Sequence, residues 1–233
     1  MAKQGYKAHV EALYEISKAI ASDQYLEDIL KLIVVVTAQV MSSNICSLML
    51  IDEDKKELVV RATQSVSEMY NKKQPLKIGE GIAGMVAKKN KPMMLLDVTK
   101  EKEYKFAHIA EKENLKSLLC VPMSVKGKVI GVINCYTPKE HKFTKTEVNM
   151  LTSIANQAAV SIENTELMVK SKVIQEELET RKRLERAKGL LMRNEGLTEE
   201  QAYLKIQKYS MDHRKSMREV AEAIIMASDF SNK

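Results

Sequence analysis

Seven side chains near one end of the chain carry the chemistry most visible in its sequence: Lys188, Arg193, Tyr203, Lys205, Arg214, Lys215 and Arg218. Six are cations and one is a ring. Cations neutralise phosphates, and an aromatic face stacks on an unpaired base. The charge distribution agrees with this. Net charge is +6, and residues 181–233 hold 12 Lys/Arg against 8 Asp/Glu, while the preceding 180 hold 25 against 23. The positive excess sits at that end, which suits either a polyanionic partner or, as charge alone slightly favours, a solvated helix surface.

The elements that must position these groups are three helices and two turns over Leu184–Ile225. Asn194-Glu195-Gly196 ends the first helix, with Gly196 placed for the left-handed cap. Thr198 and Gln201 form a capping box for the second helix, and Ser216 and Glu219 repeat it for the third. Leu184, Ala187, Leu191, Ala202, Ile206, Tyr209, Val220, Ala221 and Ile224 are spaced for inward faces. The cations, Lys188 included, then point outward and bracket the turn and the 210–216 loop. Tyr203 sits one position off the buried stripe, free to offer a stacking face. A triplet of about 40 residues buries little surface alone, so it depends on something upstream.

Upstream composition is that of an ordinary globular chain: 45% apolar and 29% charged. No apolar run approaches the roughly 20 residues of a membrane span. The first residues have no secretory apolar core. Cys46, Cys120 and Cys135 lie far apart without metal-ligand spacing, which implies a reducing cytoplasm. The residues specify no cofactor. Helices are expected over 6–21 and 26–41, and strands over 45–51, 57–63, 93–96, 118–121 and 129–136. Residues 65–77 read as a polar loop. Gly79, Gly81 and Gly84 form Gly-x-Gly-x-x-Gly, but no strand or parallel βαβ unit surrounds them. They read as a tight turn into a helix over 82–89. Helices flanking five or six short antiparallel strands indicate an α+β domain.

The words IGEGIAGMVA, MMLLDV, LKSLLCVPMSVKGKVIGVINCYT and FTKTEVNMLTSIANQAAVSIENTEL resemble a GAF domain over residues 10–168. The resemblance implies a six-stranded antiparallel sheet backed by helices, a small-molecule sensor and frequent dimerisation. It places a ligand between the sheet and the segment after the glycine-rich helix, with Met49, Met85, Met94, Asp97, Tyr104, Cys120 and Tyr136 as candidate lining. The ligand is unspecified: no Cys neighbours a His as in bilin-binding relatives, and the cyclic-nucleotide signature is absent. His108 reads as solvated.

From Thr144, capped by Glu147, no Pro or Gly interrupts the chain up to Gly189. Val148, Leu151, Ala155, Ala158 and Ile162 keep the 3-4 spacing of a coiled coil or a packed dimer helix. The seam thins to Val173, Ile174 and Leu178 before resuming at Leu184. The final triplet resembles an ANTAR domain through Ala187-Lys188-Gly189-Leu190-Leu191-Met192, Glu200, Ala202-Tyr203, Ser210 and Met217-Arg218-Glu219-Val220-Ala221. Met217 departs from the usual Leu. The resemblance implies a dimeric module that binds paired-hairpin leader RNA and disfavours a terminator. The expected organisation is a GAF-like sensor and dimerisation domain over 1–168, a helical linker over 169–183, and an all-α three-helix ANTAR domain over 184–233. Expected partners are RNA, a second copy of the chain and a small-molecule ligand, with no membrane. Two alternatives stay open: cysteine-based reduction of free methionine sulfoxide, whose motif the cysteine surroundings do not match, and DNA binding through a helix-turn-helix.

Overall fold

The computed structural model describes residues 26–65 and 67–231. The helix expected over 6–21 lies outside them. The described residues divide into two units on either side of the Glu166–Leu167 bond.

In the first unit, helix α1 (Leu26–Met41) leads into strands β1 (Ile45–Asp52) and β2 (Glu57–Thr63). The stretch expected as a plain loop instead holds a helical turn, α2 (Glu68–Asn71), and a two-residue strand, β3 (Leu76–Lys77). Polar composition hides both. The Ser67 hydroxyl caps α2 by accepting from the Tyr70 amide, and Tyr70 is its one buried residue. Helix α3 (Gly81–Lys89), β4 (Met93–Leu95), α4 (Ala107–Lys112), β5 (Ser117–Val125) and β6 (Lys128–Thr137) follow. The sheet is antiparallel in the order β3-β2-β1-β6-β5-β4. Lys126 and Gly127 both take positive φ in the turn joining β5 to β6, as a two-residue hairpin favours.

Alternation along each strand builds two cores. Cys46, Leu48 and Leu50 of β1, Leu119, Val121 and Met123 of β5, and Ile133 and Cys135 of β6 face α1 and a further long helix, α5 (Lys145–Glu195). The intervening Ile45, Met49, Leu118, Cys120, Val132 and Tyr136 face α3, α4 and their loops. Both faces are covered, which is why β5 and β6 read as continuous apolar runs.

The three motif glycines meet backbone demands. Gly79 and Gly81 have φ of +93 and +61, and a Cβ on Gly84 would lie 2.5 Å from the Lys77 carbonyl oxygen. The Thr144 amide and hydroxyl donate to Glu147 at 2.6 and 2.7 Å, starting α5 as expected.

One expectation for α5 is corrected. Leu151, Ala155, Ala158 and Ile162 are at most 1% exposed, and Val148 packs against them. They belong to the first unit's core and offer no free seam. Their spacing arises because a helix laid on a sheet shows the same stripe as one laid on a partner helix.

The second unit holds the C-terminal part of α5, α6 (Glu199–His213) and α7 (Met217–Ser231). Gly196 takes φ +68 just after α5. Thr198 and Gln201 form the capping box, and Ser216 donates to Glu219 through both amide and hydroxyl. Ala187, Leu191, Ala202, Ile206, Val220 and Ala221 form the core, with Leu184 and Ile224 packed against it. Tyr209, expected inward, is 52% exposed, because it lies near the end of α6, one turn beyond Ile206. Its ring stacks on His213, with centroids 3.9 Å apart.

Candidate functional site

The sheet face opposite α1 gathers three tyrosines. Tyr70 and Tyr136 meet edge to face at 6.1 Å, and the Tyr104 hydroxyl donates to that of Tyr136 at 3.2 Å. The Ser47 and Tyr70 hydroxyls share a hydrogen bond at 3.0 Å, and the Asn134 amide donates to Ser47 at 3.4 Å. Met49, Tyr104 and Tyr136 line an interior cavity of about 20 Å³. Met85 and Cys120 pack into the surrounding core without lining it. Met94 is 51% exposed, and Asp97 is held by Thr99 and by Lys100 and Lys116 at 3.1 and 3.3 Å. Those partners, the Thr99 hydroxyl first, hold the Asp97 carboxyl well below the usual range. Asp97 is thus engaged in its own turn.

Sequence reading missed the most unusual group there. The Lys73 ammonium lies 3.5 Å over the Tyr70 ring, with Phe106 and Tyr136 at 5.1 and 5.4 Å. Burial lowers its pKa to about 7, and Glu113 opposes the shift only through space. Lys73 also lines an outer cleft of about 640 Å³ shared with Leu76, Lys105, Phe106 and His108. The polar stretch 65–77 gave no hint that the chain just past α2 would lay one lysine over the Tyr70 ring. The cysteines are buried, and burial pushes the Cys46 and Cys120 thiols up.

In the second unit the six expected RNA-facing cations fall into three groups, with Tyr203 apart from them. Arg193 and Arg214 are exposed, with no carboxylate in ion-pair range among the described residues. Lys205, Lys215 and Arg218 pair with Glu195, Glu219 and Glu222, the last two at 3.6 and 3.1 Å. Lys188, expected outward, is instead 7% exposed, with its ammonium 2.9 Å from Glu185 and 2.7 Å from Glu199. It follows Ala187 on the core-facing side, so its stem packs inward while its head reaches two acids at the rim. The hydrogen bonds it donates to Glu199 and Glu185 raise its pKa. Tyr203 is 38% exposed. The Tyr209–His213 stack and the exposed Lys208, which has no ion-pair partner among the described residues, are not apparent from the sequence. Arg214 takes the left-handed cap of α6, and the Ser210 hydroxyl donates to the Lys215 carbonyl at 2.6 Å, fixing the loop between α6 and α7.

A family model of the GAF domain matches residues 23–163, and one of the ANTAR domain matches 172–225. A phosphoenolpyruvate-dependent phosphotransferase system protein of Escherichia coli (strain K12) is 25% identical over 155 residues, 66% of this chain and 21% of that protein. The transcriptional regulatory protein PdtaR of Mycobacterium tuberculosis is 50% identical over 52 residues, 22% of this chain and 25% of that protein. The chain thus spans about a fifth to a quarter of the length of these curated relatives. The solved GAF domain of a phosphoenolpyruvate-protein phosphotransferase from Coxiella burnetii superposes with a TM-score of 0.63 at 26% identity, covering 70% of this chain and 98% of that one.

Proposed function

The chain belongs to the GAF domain family and carries an ANTAR domain after it, and on that footing we propose that it is an RNA-binding antitermination regulator. The observation that carries this reading is the 50% identity to a transcriptional regulatory protein over the helical triplet. The triplet binds paired-hairpin leader RNA through the exposed cations Arg193, Lys208 and Arg214, with Lys205, Lys215 and Arg218 exchanging carboxylate partners for phosphates. The first unit senses a small molecule at the tyrosine-lined pocket.

The active form is a homodimer. Val160, Leu167 and Ile174 recur every seven residues along α5 and are 40%, 56% and 64% exposed, with Leu178 at 51%. Such a stripe is the signature of a helix that pairs with a second copy. A regulator fits these residues better than a thiol enzyme, because nucleophilic chemistry needs an accessible thiolate, and all three thiols are buried, with those of Cys46 and Cys120 pushed up by that burial.

The test is single-round transcription through a terminator preceded by the paired hairpin. Read-through that rises with added protein supports the reading. Termination unchanged at saturating protein contradicts it.

A further inference from the structure

An ammonium drawn partly out of water with no hydrogen-bond acceptor is incompletely satisfied, since contact with aromatic faces replaces only part of its hydration. Lys73, half-buried, is in that position: its ammonium lies over three aromatic rings, and no carboxylate is in ion-pair range among the described residues. Its neighbours do not relieve it. Glu68 is taken by Lys72, and Glu80 by Lys105 at 3.1 Å. The interior cavity is lined by Lys73 and Lys105 and by no acid, with Ser47, Asn134, Tyr104 and Tyr136 supplying hydrogen-bonding groups. The rest of its wall is apolar: Met49, Val60, Leu76, Ile82, Phe106 and Leu118. Lys73, Leu76, Lys105 and Phe106 also line the outer cleft of about 640 Å³, so the two spaces adjoin.

We propose that this pocket takes a small organic carboxylate with an apolar or aromatic body, whose carboxylate pairs with the Lys73 ammonium. The assignment rests on reading the first unit as a sensor, and it adds the chemical class of what is sensed. The ligand's body occupies the outer cleft against Phe106 and Leu76. Its charge enters where the protein presents an unanswered one, and binding supplies the acceptor that Lys73 lacks.

The test uses three probes of one shape on the full chain: benzoate, benzamide and benzylamine, followed by calorimetry and by the shift in unfolding temperature. Benzoate should bind at least about tenfold more tightly than benzamide, the margin expected of a charge-assisted pair, and benzylamine should not bind. Lys73→Met should remove the preference for benzoate while the variant stays folded by circular dichroism. Equal binding of benzoate and benzamide, or preferential binding of benzylamine in the aromatic cage, would overturn the carboxylate assignment and leave the sensor reading standing. Failure of all three at millimolar concentration would overturn the pocket as well. The benzoate–benzamide comparison needs no variant, so a misfolded Lys73→Met does not blunt it.

Discussion

Lys73 places its ammonium 3.5 Å over the ring of Tyr70, three residues before it in the chain. The short helix capped by Ser67 presents the ring to the interior, and Lys73, two residues past its end, lays the charge over it. The cation rests on an aromatic face, with no carboxylate in ion-pair range among the described residues.

That relationship has a pH signature. Folding lowers the Lys73 pKa from 10.5 to about 7, so between those values the unfolded chain holds a proton that the folded chain gives up. Stability therefore rises with pH across this window. The facing groups lie outside it: burial pushes Tyr104 up to about 12 and raises Tyr70 and Tyr136, and Glu113 is a carboxylate. Urea unfolding of the wild type at about pH 6.5 and about pH 9 should show a gain that Lys73→Met lacks. The variant should be more stable than wild type at the lower pH by about 1–3 kcal/mol, the cost of an unsatisfied buried group.

Lys188 and the two free arginines should separate stability from binding. Lys188→Ala breaks the contacts to Glu185 and Glu199 inside the triplet and lowers its unfolding temperature, measured by calorimetry. Arg193→Ala and Arg214→Ala leave that temperature unchanged. Each weakens RNA binding and flattens the log–log salt slope by about 0.7–0.9, one phosphate's worth.

Tyr209, rather than Tyr203, should be the stronger stacking platform, because its ring is more exposed and already aligned on His213. Tyr209→Ala should cost about 1–3 kcal/mol of RNA affinity if one base stacks there. Fluorescence anisotropy with a labelled hairpin, read beside Tyr203→Ala, ranks the two.

Gly84 should tolerate no side chain. Its missing Cβ leaves room for the Lys77 carbonyl, so Gly84→Ala should cost about 1–3 kcal/mol in chemical denaturation. Loss of stability without loss of any phosphate-ligand response identifies the glycine motif as architecture.

Much of this fold is legible in the chain. Caps such as Thr198–Gln201 and Thr144–Glu147 are local pairs, three residues apart, and they mark helix starts directly. The hairpin turn at Lys126-Gly127 is equally local. Long-range placement is what sequence hides. Lys188 shares its type with Lys208, yet one is buried by the turn it occupies and the other is exposed. Leu151 and Ile174 share a helix and a spacing, yet Leu151 faces the sheet and Ile174 is exposed. Lys73 sits in a polar stretch whose inward turn depends on a single buried tyrosine, and no periodicity betrays it.

The most direct measurement is the affinity of the full chain for a paired-hairpin RNA, titrated across salt with duplex DNA of equal length as competitor. Binding that resists the DNA, with a salt slope matching several phosphate contacts and a stoichiometry of two chains per paired hairpin, is the expected result. Equal competition by DNA, or a slope near zero, would contradict the assignment of the helical triplet as an RNA reader.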